Sequence, residues 1–153
     1  LYKTSQQLPD VQFVIKPHPN ENPEIHQEMV NRNGVNDNLF LIDKGADTFE
    51  LIYLCELLIT FHSTSGLEAI VLDKPVITVN LTGRSDPEDY AEKGVAIGVY
   101  KENDLCDAIN NALYDQQTCK SFAKARNQYV EDYLLDGKSS ERIGDVIEGM
   151  IEA

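Results

Sequence analysis

Short apolar runs alternate with amphipathic stretches through the first hundred residues of this 153-residue chain. Val11–Lys16 (VQFVIK), Asn38–Asp43 (NLFLID), Leu57–Phe61 (LLITF), Pro75–Val79 (PVITV) and Val95–Tyr100 read as five strands. Their apolar positions are continuous rather than alternating, as strands covered on both faces require. The intervening stretches read as helices. Pro23–Asn31 carries proline at its first position, with Asn22 placed as its cap. Asp47–Cys55 has Asp47 or Thr48 at its cap, and Gly66–Leu72 is ended by Asp73, Lys74 and Pro75. Residues 1–8 read as the end of a helix.

Beyond residue 100 the period changes to that of helices. Leu105, Ile109, Ala112 and Leu113 share one face, and Phe122, Tyr129, Val130 and Tyr133 mark another amphipathic stretch. Ile143, Val146, Ile147, Met150 and Ile151 recur at i, i+3, i+4, i+7 and i+8, with Ser139 or Ser140 as the expected cap. Strands alternating with helices imply βαβ units. The expected fold is therefore α/β, a three-layer Rossmann-like sandwich with a mainly parallel sheet. Such sheets bind ligands at the carboxyl ends of their strands, so the residues following each strand are the ones to read for chemistry.

After the third strand comes His62-Ser63-Thr64-Ser65-Gly66-Leu67-Glu68. Hydroxyls and a glycine where a strand turns into a helix suit a phosphate, because free amides and the helix dipole favour an anion there. Ser65-x-x-Glu68 also fits a capping box, in which the two side chains satisfy the first turn and Glu68 is not free for a ligand. After the first strand, Pro17 and Pro19 fix the backbone on either side of His18, which is placed to donate to a phosphate or to move a proton. The same residues also describe a rigid surface turn. Asp43-Lys44-Gly45 follows the second strand. The polar loop after the fourth strand carries Arg84, able to neutralise an anion or simply to be solvated.

Composition narrows the partners. Lys and Arg total 13 against 26 Asp and Glu, a net charge of −13, which repels phosphate backbones and argues against nucleic acid. An anionic ligand must then be held by a local cradle. Cys55, Cys106 and Cys119 are odd in number and widely spaced, pointing to free thiols in a reducing, cytoplasmic setting. His18, His26 and His62 show no metal-ligand spacing, and neither a metal nor a cofactor is expected. The most apolar stretch, Leu51–Phe61, is too short to span a bilayer. G-x-G-x-x-G, Walker A and G-x-S-x-G patterns are missing.

Taken together, these loops resemble the C-terminal half of the two-domain GT-B architecture used by UDP-N-acetylglucosamine 2-epimerases and many glycosyltransferases. PDVQFVIKPHPNENPEI is similar to the epimerase strand and turn before the sugar-nucleotide site. LLITFHSTSGLEAIVLDKPVITV is similar to its cradle, helix and Lys-Pro-Val strand, DPEDYAEKG to the segment that follows, and YLLDGKSSERIGDVI to the ending. The resemblance implies that Ser63 and Thr64 bind the diphosphate and Glu68 the ribose hydroxyls. With it, Ser65, Gly66, Lys44 and Arg84 are expected to bind nucleotide, and His18 to hold phosphate or act at the reacting centre. The epimerase cradle reads Asp-Ser-Gly-Gly where this chain has Phe61-His62-Ser63-Thr64, and KPHP with HSTSGLEA is closer to transferases of capsule and surface polysaccharides. The resemblance thus implies a single nucleotide-sugar-binding domain over residues 1–153, a segment of a longer two-domain enzyme. Its substrate would be a nucleotide sugar, UDP-linked by the epimerase likeness. Its partners would be an N-terminal domain and, through the full-length protein, a second copy. The expected reaction is epimerisation, with glycosyl transfer and non-catalytic binding as the alternatives.

Overall fold

The computed structural model describes residues 1–33, 36–131 and 136–151. Tyr133, expected on the amphipathic face near residue 130, lies outside them. Helix α1 spans Tyr2–Gln7. Then β1 (Phe13–Ile15), α2 (Pro23–Asn33), β2 (Leu39–Leu41), α3 (Thr48–Leu54), β3 (Leu58–Thr60), α4 (Ser65–Val71), β4 (Val76–Val79) and β5 (Ile97–Val99) alternate. Three helices end the order: α5 (Leu105–Tyr114), α6 (Gln116–Glu131) and α7 (Ser139–Ile151). Each expected strand is present, shortened at its ends where the backbone leaves the ladder.

All strand pairs are parallel. Val14 stands beside Phe40, Ile59 beside Ile77, and Thr78 beside Gly98. The ladders fall into two groups, β1-β2 and β3-β4-β5, rather than one unbroken sheet. Successive strand residues face opposite sides, and β4 shows both sides covered. Ile77 packs with Phe13, Val99, Leu105 and Ile109, placing α5 on one face. Its neighbour Val76 packs with Ile52, Ile70, Tyr90 and Val95, with α6 residues Ala125 and Tyr129 against them. This is the three-layer α/β arrangement, and it explains the continuous apolar run of β4; β1 and β2 depart from the expectation, since Val14 and Phe40 leave one face of that pair exposed. Each fully buried isoleucine contributes about 1.5–3 kcal/mol, so Ile52, Ile70, Ile77 and Ile109 anchor the body.

Side chains fix several junctions. Asp47 caps α3, accepting from the Phe49 amide at 2.8 Å and the Glu50 amide at 3.1 Å. The α4 helix ends on Asp73 at φ 55°. There Arg126 of α6, only 4% exposed, donates from Nε to the Asp73 carboxylate at 2.9 Å and from a terminal nitrogen to its carbonyl at 3.2 Å. Asn38 Nδ2 donates to the carbonyls of Ser5, Leu8 and Val11, fastening the segment after α1 to the start of β2.

The last helix departs from its expected packing. Its apolar residues fall at the expected helical spacing, yet no residue of α7 is buried and Ile143, Met150 and Ile151 are all exposed. The three cysteines are free thiols, and burial raises the Cys55 thiol above its ordinary pKa. Among the described residues, no helix is long and apolar enough to cross a membrane.

Candidate functional site

Parallel ladders bring the carboxyl ends of the strands to common edges, and every candidate residue follows a strand. The β1 turn is built from local bonds. Pro17 is buried and His18 exposed. The His18 amide donates to Glu21 Oε2 at 2.7 Å, and the Asn20 amide donates to His18 Nδ1 at 3.2 Å. That last bond sets the ring: Nδ1 accepts, so the neutral imidazole carries its proton on Nε2. His18 therefore presents a donor, suited to an anion more than to removing a proton. The His18 amide holds the Glu21 carboxyl below its ordinary 4.5, with His26 assisting. Lys44, from the β2 loop, donates to the Pro19 carbonyl at 3.2 Å, so the expected lysine and histidine belong to one group of loops.

The β3 turn differs from a capping box in three respects. Thr64 is the residue before α4 and its side chain caps nothing. Ser65 lies inside the helix, where its hydroxyl bonds to the Ser63 hydroxyl, so the capping box does not form. The Glu68 carboxylate is exposed and makes no hydrogen bond among the described residues. The first-turn amides are also committed: Ser65 donates to Ser63 Oγ, Gly66 to the Ser63 carbonyl, and Leu67 and Glu68 to the Thr64 carbonyl. What this turn offers an anion is hydroxyls rather than free first-turn amides.

Gly66 has a different reason from the one its sequence suggests. A Cβ there would lie 2.7 Å from Cε2 of Tyr90, whose ring is buried and edge-on to Tyr129. The space a side chain would take is filled by the Tyr90 ring.

The β4 loop is organised by Asn80, 3% exposed, which the sequence reading passed over. Its Nδ2 donates to the Arg84 carbonyl at 3.0 Å and to Asp86 Oδ1 at 2.7 Å, while its Oδ1 accepts from the Thr82 amide and hydroxyl. An asparagine directly after a strand, followed by Thr82 and Gly83, was the available signal. Arg84 is exposed, with no ion pair among the described residues. Tyr100 donates to Asp86 Oδ2 at 2.6 Å, and that bond raises the phenol above its ordinary pKa. Glu88 reaches back to His62, bonding its Nδ1.

A cleft of about 470 Å³ opens along this loop, with Asp86, Glu88, Asp89, Glu92 and Tyr100 in its walls. Its carboxylates disfavour an anion, so the cleft and the hydroxyl turn suit different chemistry even though His62–Glu88 joins them. Among the described residues no group of three or more His, Cys, Asp or Glu is arranged to hold a metal ion.

A family model described as CDP-Glycerol:Poly(glycerophosphate) glycerophosphotransferase matches residues 2–149. No curated protein is a detectable sequence relative. Among solved structures, the chain is similar to a UDP-N-acetylglucosamine 2-epimerase from Listeria monocytogenes, described as putative, at 19% identity and a TM-score of 0.68, covering 99% of this chain and 39% of that one. It is similar at 17% identity and a TM-score of 0.62 to the Neisseria meningitidis UDP-GlcNAc 2-epimerase bound to UDP-GlcNAc, covering 85% of this chain and 38% of that one. The chain thus spans about two fifths of the length of these structures, and at such identities the likeness is one of fold.

Proposed function

From the premise that this chain belongs to the CDP-glycerol:poly(glycerophosphate) glycerophosphotransferase family, we propose that it grips the nucleoside diphosphate of an activated donor in a group transfer. Family membership by sequence weights transfer above the epimerisation first expected from the loops. The carrying observation is the set of donors and acceptors that follow the strands, of which, among the described residues, Lys44 alone is held by a protein partner, the Pro19 carbonyl. His18 offers Nε2–H, Thr64 its hydroxyl, and Lys44 and Arg84 their charge, while Glu68 offers a free carboxylate. Phosphate oxygens need donors and ribose hydroxyls need an acceptor, and this set supplies both. Phosphate held in this way also stabilises the departing nucleotide as its charge develops. A second domain of a longer polypeptide completes the cleft and helps to bind the acceptor, in a cytoplasmic protein able to pair with a second copy.

The epimerase reading is favoured by one observation, the fold shared with a protein bound to UDP-GlcNAc. Calorimetric titration of the chain with CDP-glycerol, CMP, UDP and UDP-GlcNAc separates the readings. Transfer from CDP-glycerol predicts that the cytidine compounds bind more tightly and that Thr64→Ala weakens them. Preference for UDP-GlcNAc returns the assignment to the epimerases, and no binding of any nucleotide at millimolar concentration overturns both.

A further inference from the structure

His62 and Glu88 are 26 positions apart and meet where the hydroxyl turn borders the acidic cleft. A carboxylate only accepts hydrogen bonds, so the Nδ1 it binds carries the proton and the lone pair of the neutral ring is on Nε2. Among the described residues Nε2 has no protein partner. The imidazole side chain is 62% exposed while Glu88 is 22% exposed, so the partner is held and the ring is accessible. The Phe61 ring stands edge-on to the imidazole, with centroids 6.4 Å apart. A carboxylate that fixes the tautomer of a histidine, and stabilises the imidazolium it becomes, is the arrangement that makes a ring an effective base.

The surroundings agree with that direction of proton flow. Ser63 and Thr64 follow His62 in the chain, on the side where the transfer reading puts the donor phosphate. Glu88 is a wall of the cleft, whose other carboxylates can accept from the hydroxyls at a glyceryl chain end while keeping the chain's own phosphates outside. The ring thus stands between a place for an anionic donor and a place for a hydroxyl-bearing acceptor. His18, with Nδ1 already accepting, is set the opposite way.

We propose that His62, positioned by Glu88, is the general base that takes the proton from the acceptor hydroxyl. This deepens the transfer reading and rests on it. In the step, the acceptor O–H proton passes to Nε2 of His62 as the oxygen attacks the phosphorus bearing the transferred group. The bond from that phosphorus to the bridging oxygen breaks, and the nucleoside monophosphate leaves with the electron pair.

The test uses the complete natural polypeptide, CDP-glycerol and a glycerol phosphate oligomer as acceptor. His62→Asn keeps a nitrogen near the Nδ1 position for Glu88 but removes the base, and His62→Gln places a non-basic nitrogen near Nε2. Both should lower kcat by about 10²–10⁴-fold, with KM for CDP-glycerol within about threefold. Glu88→Gln should lower kcat less than either. In His62→Ala, added imidazole should restore part of the rate, a rescue that a merely structural role would not show. His62→Asn and His62→Gln variants that fold and turn over within threefold of wild type overturn the assignment, as does a failure of imidazole to rescue. Wild-type protein that binds no cytidine nucleotide overturns the transfer reading itself, and this inference with it.

Discussion

The β1 turn and the β3–β4 turns follow strands of the two separate ladders, carry one histidine each, and are built in opposite ways. The first closes within six residues, through bonds among His18, Asn20 and Glu21. The second depends on residues far along the chain: Tyr90 against Gly66, Glu88 on His62, and Arg126 on the turn that ends α4. The consequence is chemical as well as structural. The local turn leaves His18 as a donor through Nε2, whereas the distant carboxylate leaves His62 as an acceptor there. The fold thus holds two imidazoles of opposite polarity.

The largest effect that would break this contrast is expected at Gly66. Gly66→Val drives branched carbons into the buried Tyr90 ring and should cost about 3 kcal/mol in urea unfolding. Next comes Asn80→Ala. It leaves the buried end of β4 without the bonds that shape the 82–86 loop, so a loss of about 2 kcal/mol is expected, with faster amide exchange confined to that loop. Glu68→Gln is smaller in stability, within about 0.5 kcal/mol, because no cap depends on that carboxylate. It should instead weaken nucleotide affinity about tenfold, a result that separates a ribose contact from a structural role.

The smallest effects belong to the turns held by local bonds, after β1 and β2. Gly45→Ala also brings a Cβ close, 2.9 Å from Asp43 Oδ1, but that carboxylate rotates away, and a change within about 0.5 kcal/mol is expected. Glu21 adds a pH dependence of known sign. Its carboxyl is held below 4.5 in the folded chain, so its contribution is present above that pH. It is lost as pH falls through the lowered value. The His18 amide resonance should move in that acid range and should not in Glu21→Gln.

The same contrast explains what the sequence made legible. Continuous apolar runs located every strand, although both faces are buried only where β4 lies between two layers, and Asp47 was readable as a cap because its partners are two and three residues away. Helix α7 was readable from its period, but its exposure was not, since periodicity reports a face and not what meets it. Gly66 stood out for a reason that proved to be Tyr90, 24 positions on. Glu88 and Arg126 carry no local signature, because His62 and Asp73, which give them meaning, are brought by the fold. The capping box failed because the chain enters α4 one residue early, at Thr64 instead of Ser65.

Long-range 1H–15N correlation of the imidazole rings, recorded on the chain before and after adding CDP-glycerol, tests most directly the claim that these turns form a nucleotide grip flanked by two oppositely set histidines. The account predicts the proton on Nε2 of His18 and on Nδ1 of His62 in the free chain, and a shift of His18 Nε2 on binding, accompanied by the amides of residues 62–68. Identical tautomers for the two rings, or rings and amides unmoved by millimolar CDP-glycerol, would contradict it.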